Sequence, residues 1–468
     1  MRFFSYFTPS APWAFVYMVQ QFEYNPTKFL KWAVNFSDLR KAQNRGKLHI
    51  TPRIKLMLVV AYLAYFASII MIVSQALWHN AFFAIGGIIF VPFFCISVVY
   101  VVTVVLQKTI INPVQNREML AAIQKLASSK ALRIAVLGSY GKTTMKELLV
   151  TVISEARKII ATPGNKNILI SQVRWVNNST LGNEDVYVFE YGEAKPGDIA
   201  KLAHFSKPEI AIITGIAPAH MDAYPDLDSI VKDFASISSV VDASETYFNN
   251  QKLLKDNIKG SAYDIDGLGK WKVSNVSVSI TGTDFTLSNG NDRLELRTGL
   301  LGMHQIGPIT AVVVIAKKLG LSNQQIITGV SKTTPFEHRM HPRQLGGAWI
   351  IDDTYNGNVE GMRAGLELLK ALSAKRKIYV TPGLVDQGTE SENIHKQLGD
   401  LIAQAKPDKV VLMQNSVTSH IQAGLSAGNY DGEVTIENNP LEYYTNLEHF
   451  LAAGDLVMLQ NDWPDSYR

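Results

Sequence analysis

Cysteine is almost absent. Cys95 is the only one in 468 residues. That excludes a disulfide framework within the chain and any zinc site built on a cysteine cluster. Charge is scarce too: 18% charged against 47% hydrophobic. The chain is too apolar to be disordered and low in charge for a wholly soluble protein. No internal repeat and no low-complexity tract is present. The net charge of +4 is unevenly spread. Residues 1–55 hold nine Lys/Arg and two acids, and the remaining 413 hold 36 and 39. A basic excess confined to one end excludes a whole-protein nucleic-acid binder.

The longest absence is of charge itself. From Leu56 to Gln107 there is no Asp, Glu, Lys or Arg. The stretch divides near Trp78-His79-Asn80 into two apolar runs. A bilayer core takes roughly 20 helical residues to cross, so each run suffices for one span. The runs start too late for a cleaved signal peptide. Arg40, Lys41, Arg45, Lys47, Arg53 and Lys55 precede them, Lys108 and Arg117 follow, and the turn has neither Lys nor Arg. The positive-inside rule predicts a multi-pass protein of the inner membrane, with both termini and everything after the hairpin cytoplasmic. Residues 1–50 are rich in aromatics, among them Phe15, Tyr17, Phe29 and Trp32. They read either as an interfacial element on anionic lipid or as a packed appendage of the hairpin.

After residue 131 short apolar runs alternate with helical periodicity. Arg133–Leu137, Lys158–Thr162, Val186–Tyr191 and Glu209–Thr214 read as buried strands. This pattern predicts an α/β fold with a mostly parallel sheet covered on both faces. Residues 275–297 alternate instead, with Ser-Asn-Gly-Asn at 288–291, and read as antiparallel hairpins. Helices are expected at 308–319 and 323–331, with a boundary at Thr333-Thr334-Pro335. A second α/β alternation runs from Trp349 through residues 377–383 and 409–413 to 455–460. The expected organisation is a basic, aromatic segment (1–55), two membrane helices (56–107), a linker helix (108–130), a P-loop-type ATPase domain (131–334) and a Rossmann-like domain (335–468).

The first strand runs into Gly138-Ser139-Tyr140-Gly141-Lys142-Thr143-Thr144, then a helix. Glycines let the backbone turn its N–H groups inward, and the helix N-terminus adds partial positive charge, so the loop suits phosphate. Lys142 supplies a point charge for terminal phosphates and Thr143 a hydroxyl for Mg²⁺. The usual spacing wants glycine at 136, where this chain has Val136; a plain glycine-rich turn is the bland alternative. Glu190 ends one later strand and His220 follows another. Ligands in such sheets bind beyond the carboxyl ends of strands, so these two are candidate metal ligands.

The ordered set GSYGKTT (138–144), TPGNKN (162–167), FEYGEAKPGDI (189–199), AHMD (219–222), GMHQIGPITA (302–311), HRM (338–340), DDTYNGNVEGM (352–362) and TPGLVDQG (381–388) resembles the Mur ligase family. The likeness is nearest the branch that adds D-Ala-D-Ala. It implies an ATP- and Mg²⁺-dependent ligase joining a carboxylate of a muropeptide precursor to an amino acid or dipeptide through an acyl phosphate. It implies a catalytic set of Lys142, His220, Arg339 and Lys232. Nucleotide contacts would come from Gly138, Ser139, Tyr140, Gly141, Lys142, Thr143, Thr144, Asn165, Gln305, Arg339, Asp353, Tyr355 and Asn356. Metal ligands would be Thr143, Glu190 and His220.

The chain departs from the family in three places. Phe234 stands where many members carry a carbamoylated lysine, with Lys232 two residues earlier. The apolar hairpin stands where the family has its UDP-binding domain, which suggests a lipid-linked or membrane-proximal acceptor. Gln305 stands where an asparagine is usual. A folylpolyglutamate- or cyanophycin-type ligase keeps the fold and changes the substrate. An ATP-binding scaffold of wall synthesis, catalytically weakened, is the non-enzyme alternative. Oligomeric state is not legible.

Overall fold

A computed structural model describes residues 3–22, 24–35, 39, 48–78, 81–164, 166–218, 223–355, 357–384, 387 and 390–461. The chain divides into two compact units, Met1–Ala121 and Ala122–Arg468.

The first unit is helical. Short helices Ala11–Gln21 and Pro26–Val34 precede the long helices Pro52–Trp78 and Ala81–Leu106. Asn25 starts the second helix by accepting a hydrogen bond from Lys28 N, and Pro26 fills the first turn, where an amide would have no partner. At 1.5 Å per residue, the 27 residues of Pro52–Trp78 span about 40 Å. The described residues hold two helices long and apolar enough to cross a membrane, by length and composition. Leu56, Leu63, Phe66, Ile70 and Phe94 are exposed on them. Phe15, Tyr17 and Phe29 are instead buried in one cluster with Met57, Cys95 and Val99. The aromatics of residues 1–50 thus pack against the hairpin. Tyr65 Oη donates to Phe7 O at 2.8 Å, and Gln20 bridges His49 N and O at 2.9 and 2.8 Å. Helix Ala81–Leu106 continues through a π-helical turn, Gln107–Ile111, into Asn112–Ser128.

The second unit holds two sheets. The first contains β1 (Leu132–Leu137), β2 (Ile159–Ala161), β3 (Val186–Glu190), β4 (Ile210–Ile213), β5 (Thr246–Asn249), β6 (Ser261–Asp264), β7 (Gly267–Leu268), β8 (Trp271–Ser279), β9 (Gly282–Asn289) and β10 (Asp292–Thr298). Its order is β10-β9-β8-β7-β6-β5-β4-β1-β3-β2. Strands β1 to β6 run parallel and β6 to β10 antiparallel. Parallel strands are covered on both faces, which is why β1, β3 and β4 are almost continuously apolar. Ile134, Val136, Val188 and Ile212 pack with Leu149 and Val152 of helix Lys142–Ile153 and with Ile309 and Val313 of helix Ile306–Lys318. The order reverses at β1, between β3 and β4, which opens a crevice at its carboxyl end.

The second sheet contains β11 (His341–Leu345), β12 (Ala348–Asp353), β13 (Arg376–Thr381), β14 (Lys409–Met413), β15 (Glu433–Glu437) and β16 (Asp455–Gln460), in the order β11-β12-β16-β13-β14-β15. All pairs are parallel except β11 with β12. The α/β class read from the sequence holds. Strands β5, β6, β7, β11 and β15 lie outside the runs read from the sequence. β15 reads Glu-Val-Thr-Ile-Glu and lies at a sheet edge, too polar for a buried-strand signal.

Candidate active site

β1 delivers the chain into a loop that only glycine can shape. Gly138 has φ +140° and Gly141 φ +72°. A Cβ on Gly138 would fall 2.3 Å from Thr214 Oγ1. That hydroxyl pins the loop by bonding Leu137 O at 3.2 Å and Tyr140 O. Ser139 N donates to Gly215 O at 2.9 Å. Ser139 Oγ is buried and has no partner among the described residues. An orphaned hydroxyl in a loop that opens a helix is what a phosphate oxygen would satisfy. The Tyr140 ring lies over Gly215, where an added Cβ would meet Cζ at 2.3 Å. Burial, and after it nearby Glu360, holds the Tyr140 hydroxyl well above its ordinary pKa.

Two lysines one turn apart on helix Lys142–Ile153 meet two carboxylates at the end of β3, Glu190 in the strand and Glu193 just after it. Lys142 Nζ donates to Gly138 O and to Glu193, 2.9 Å from Oε2 and 3.2 Å from Oε1. Lys146 Nζ donates to Thr162 O at 3.0 Å and Gly164 O at 2.8 Å, and lies 3.0 Å from Glu190 Oε2. Its three N–H groups are thereby all matched. Glu190 also accepts from Thr143 Oγ1 at 3.3 Å. Its backbone is fixed on both sides: Gln172 Nε2 reaches its O at 2.6 Å, and its N donates to Thr162 Oγ1 at 3.0 Å. The register of β1 against β3, Val136 opposite Glu190, sets this carboxylate beside the phosphate loop.

The opposite wall comes from the linker between the two sheet domains, residues 335–340, and from the second sheet. Arg339 Cζ lies 4.4 Å from the centroid of the Tyr355 ring, a cation–π contact. Tyr355 N donates to His338 O at 3.1 Å, and Met340 N to Asp353 Oδ1 at 3.2 Å, so the linker is clamped to the end of β12. Gln460 Nε2 donates to Asp353 Oδ2 at 2.9 Å. Burial pushes the Asp353 carboxyl up to about 7, although Gln460, Met340 N and Arg339 pull it down. Burial lowers His304 to about 4. The neutral ring turns Nε2 toward the Gln305 amide nitrogen at 2.8 Å.

One cleft of about 1030 Å³ brings these walls together, lined by Ser139 to Thr144, Glu190, Glu193, Gln305, Arg339, Asp353 and Tyr355 among others. Gly138 lies beneath the loop and shapes it. Asn165, His220 and Asn356 lie outside the described residues. Lys232 is exposed on helix Leu227–Ala235 and does not line the cleft. Phe234, two residues on, is fully buried in the core. Among the described residues no three His, Cys, Asp or Glu side chains form a ready metal cage. Thr143 and Glu190 still offer hard oxygen donors of the kind Mg²⁺ takes from protein, one or two at a time. Lys146, Glu193 and His304 escaped the sequence reading. The match between Lys142/Lys146, one helical turn apart, and Glu190/Glu193 was its available signal.

Residues 136–316 match the Mur ligase middle domain, and residues 338–460 match the Mur ligase, glutamate ligase domain. The chain is 26% identical over 288 residues to the UDP-N-acetylmuramoyl-tripeptide–D-alanyl-D-alanine ligase of Escherichia coli (strain K12), covering 59% of this chain and 63% of that one. It thus spans less than two thirds of that relative's length. Identity to the enzyme of the same name from Bacillus subtilis (strain 168) is 26% over 384 residues, covering 77% and 82%. Among solved structures, the MurF ligase from Thermotoga maritima in complex with ADP shares the fold with a TM-score of 0.65 at 20% identity, covering 74% of this chain and 80% of that one.

Proposed function

The chain belongs to the Mur ligase family through its middle and C-terminal domains, and from that premise we propose that it is an ATP-dependent ligase. It joins a carboxylate of a muropeptide-type cell-wall precursor to an amino acid or a D-Ala-D-Ala dipeptide. The observation that carries this reading is the glycine-shaped loop with its partnerless Ser139 hydroxyl, facing Arg339, Asp353 and Tyr355 across one cleft.

In this mechanism the acceptor carboxylate attacks the γ-phosphorus of ATP, and ADP leaves with the β–γ bridging oxygen. The acyl phosphate formed is then attacked by the amine. A tetrahedral intermediate collapses to the amide and releases phosphate. Lys142 and Arg339 oppose the charge that accumulates as an anion meets a triphosphate. The loop amides and Ser139 hold the phosphates, and Thr144 extends that cradle into the helix. Asp353 suits the ribose hydroxyls, and Gln305 the adenine side. Thr143 and Glu190, with His220, would hold Mg²⁺, which supplies charge neutralisation at the phosphates. Positioning and electrostatics do most of the work in such transfers.

The two long apolar helices support a membrane-anchored enzyme with its sheets on the cytoplasmic side. An anchored site raises the effective concentration of a lipid-linked acceptor, which we take as the preferred substrate class. A second reading, a nucleotide-binding scaffold, draws on the buried Phe234. ADP formation that requires both acceptor and amine separates the two. A scaffold binds nucleotide and yields none. Equal turnover on soluble UDP-linked and lipid-linked acceptors would remove the lipid preference.

A further inference from the structure

Glu193 is the odd charge in the cleft. It is 2% exposed, and both of its oxygens face Lys142 Nζ. Glu190 differs. Its partner Lys146 is buried and also holds two backbone carbonyls, so that pair belongs to the frame. Lys142 lines the cleft, and its side chain retains 14% exposure. Of the two lysines, Lys142 is the one that can change partner.

Resting on the reading of this cleft as a triphosphate site, we infer that Glu193 holds Lys142 in the nucleotide-free protein and releases it to the terminal phosphates, which makes nucleotide binding depend on a divalent cation. The ion pair must open before Lys142 can serve phosphate. Lys142 is the one cation paired with Glu193 among the described residues, and a buried carboxylate that loses such a partner is strongly disfavoured. Terminal phosphates arriving beside it add like-charge repulsion. A divalent cation carried in with the nucleotide cancels both effects, because it neutralises phosphate and carboxylate together. Metal-free nucleotide meets the full opposition of Glu193, and metal-loaded nucleotide does not. Glu193 therefore acts as a positioning residue that filters for the metal complex.

The test is calorimetric titration of ADP, and of a non-hydrolysable ATP analogue, into the full-length protein in detergent, once with EDTA and once with Mg²⁺. Glu193→Gln should bind nucleotide in EDTA about tenfold more tightly than wild type and change little in Mg²⁺, so the ratio of the two affinities shrinks. Glu193→Asp keeps the charge and should keep the wild-type ratio. Melting curves report whether each variant folds. Glu193→Ala serves with the same expectation if the glutamine form does not. Unchanged or weaker binding of the neutral variants in EDTA overturns the inference. Wild type binding no nucleotide in either buffer overturns the triphosphate reading, and this inference with it.

Discussion

Lys146 Nζ lies 3.0 Å from Glu190 Oε2, and both side chains are 3% exposed or less. The pair ties the phosphate-loop helix to the end of β3, and through Thr162 O and Gly164 O to the loop after β2. Removing one partner leaves the other buried and charged, at about 3–5 kcal/mol. Lys146→Met should lower unfolding stability by that order in a denaturant titration. Lys146→Met combined with Glu190→Leu should recover part of it, because an apolar pair carries no stranded charge while Thr162 O and Gly164 O lose Lys146 in both variants. Equal loss in the single and double variants would refute the ion-pair account.

Gly138→Ala meets two obstacles, φ +140° and Thr214 Oγ1 at 2.3 Å. It should cost about 1–3 kcal/mol of stability. ADP affinity should fall more than about tenfold, since the loop must shift. Gly269→Ala is the control: φ is +59°, and nothing lies within 4 Å of the added carbon. It should cost about 1–2 kcal/mol and leave ADP titrations unchanged.

Asp353 and His304 make opposite contributions to the pH profile. The folded Asp353 carboxyl, raised to about 7, stabilises below its unfolded value and loses that contribution as pH rises through 7. His304, lowered to about 4, contributes above its unfolded value and loses that contribution as pH falls from 6.5 through 4. Their slopes oppose each other between pH 4 and 6.5. Asp353→Asn should melt higher than wild type at pH 8 and similarly near pH 4, while weakening nucleotide binding. Thermal scans across pH check this. A variant no more stable at pH 8 contradicts the burial argument.

Arg339 stacks on Tyr355 at 4.4 Å. Lysine keeps the charge but loses the planar fork and the stacking face. Arg339→Lys should raise the nucleotide Kd about tenfold, at about 1.4 kcal/mol, with Tyr355→Leu moving it less and in the same direction. Wild-type affinity in Arg339→Lys would mean that stacking does not position the guanidinium.

The sequence reads best where one short segment holds the whole signal. The loop Gly138–Thr144 needs only a strand before it and a helix after it, and both are local. Strands β1 to β4 fall within a residue of their apolar runs. What escaped depends on partners far along the chain. Lys146 looks like a surface lysine until the register of β1 and β3 brings Glu190 to it. His304 is polar in sequence, and only the fold shows that partial burial holds its ring well below its ordinary pKa. Lys232 enters the catalytic set by its nearness to Phe234 in the chain, but its helix buries Ile230, Val231 and Phe234 and turns the lysine outward. The aromatics of residues 1–50 carried two readings because composition does not say which surface they meet; the cluster around Phe15 and Phe29 does.

The most direct measurement is ADP release by the purified full-length protein supplied with ATP, Mg²⁺, lipid-linked or UDP-linked muropeptide, and D-Ala-D-Ala or other amines. The account expects release that requires acceptor and amine together and disappears in Lys142→Ala. Release that ignores the amine, or survives the loss of Lys142, would contradict it.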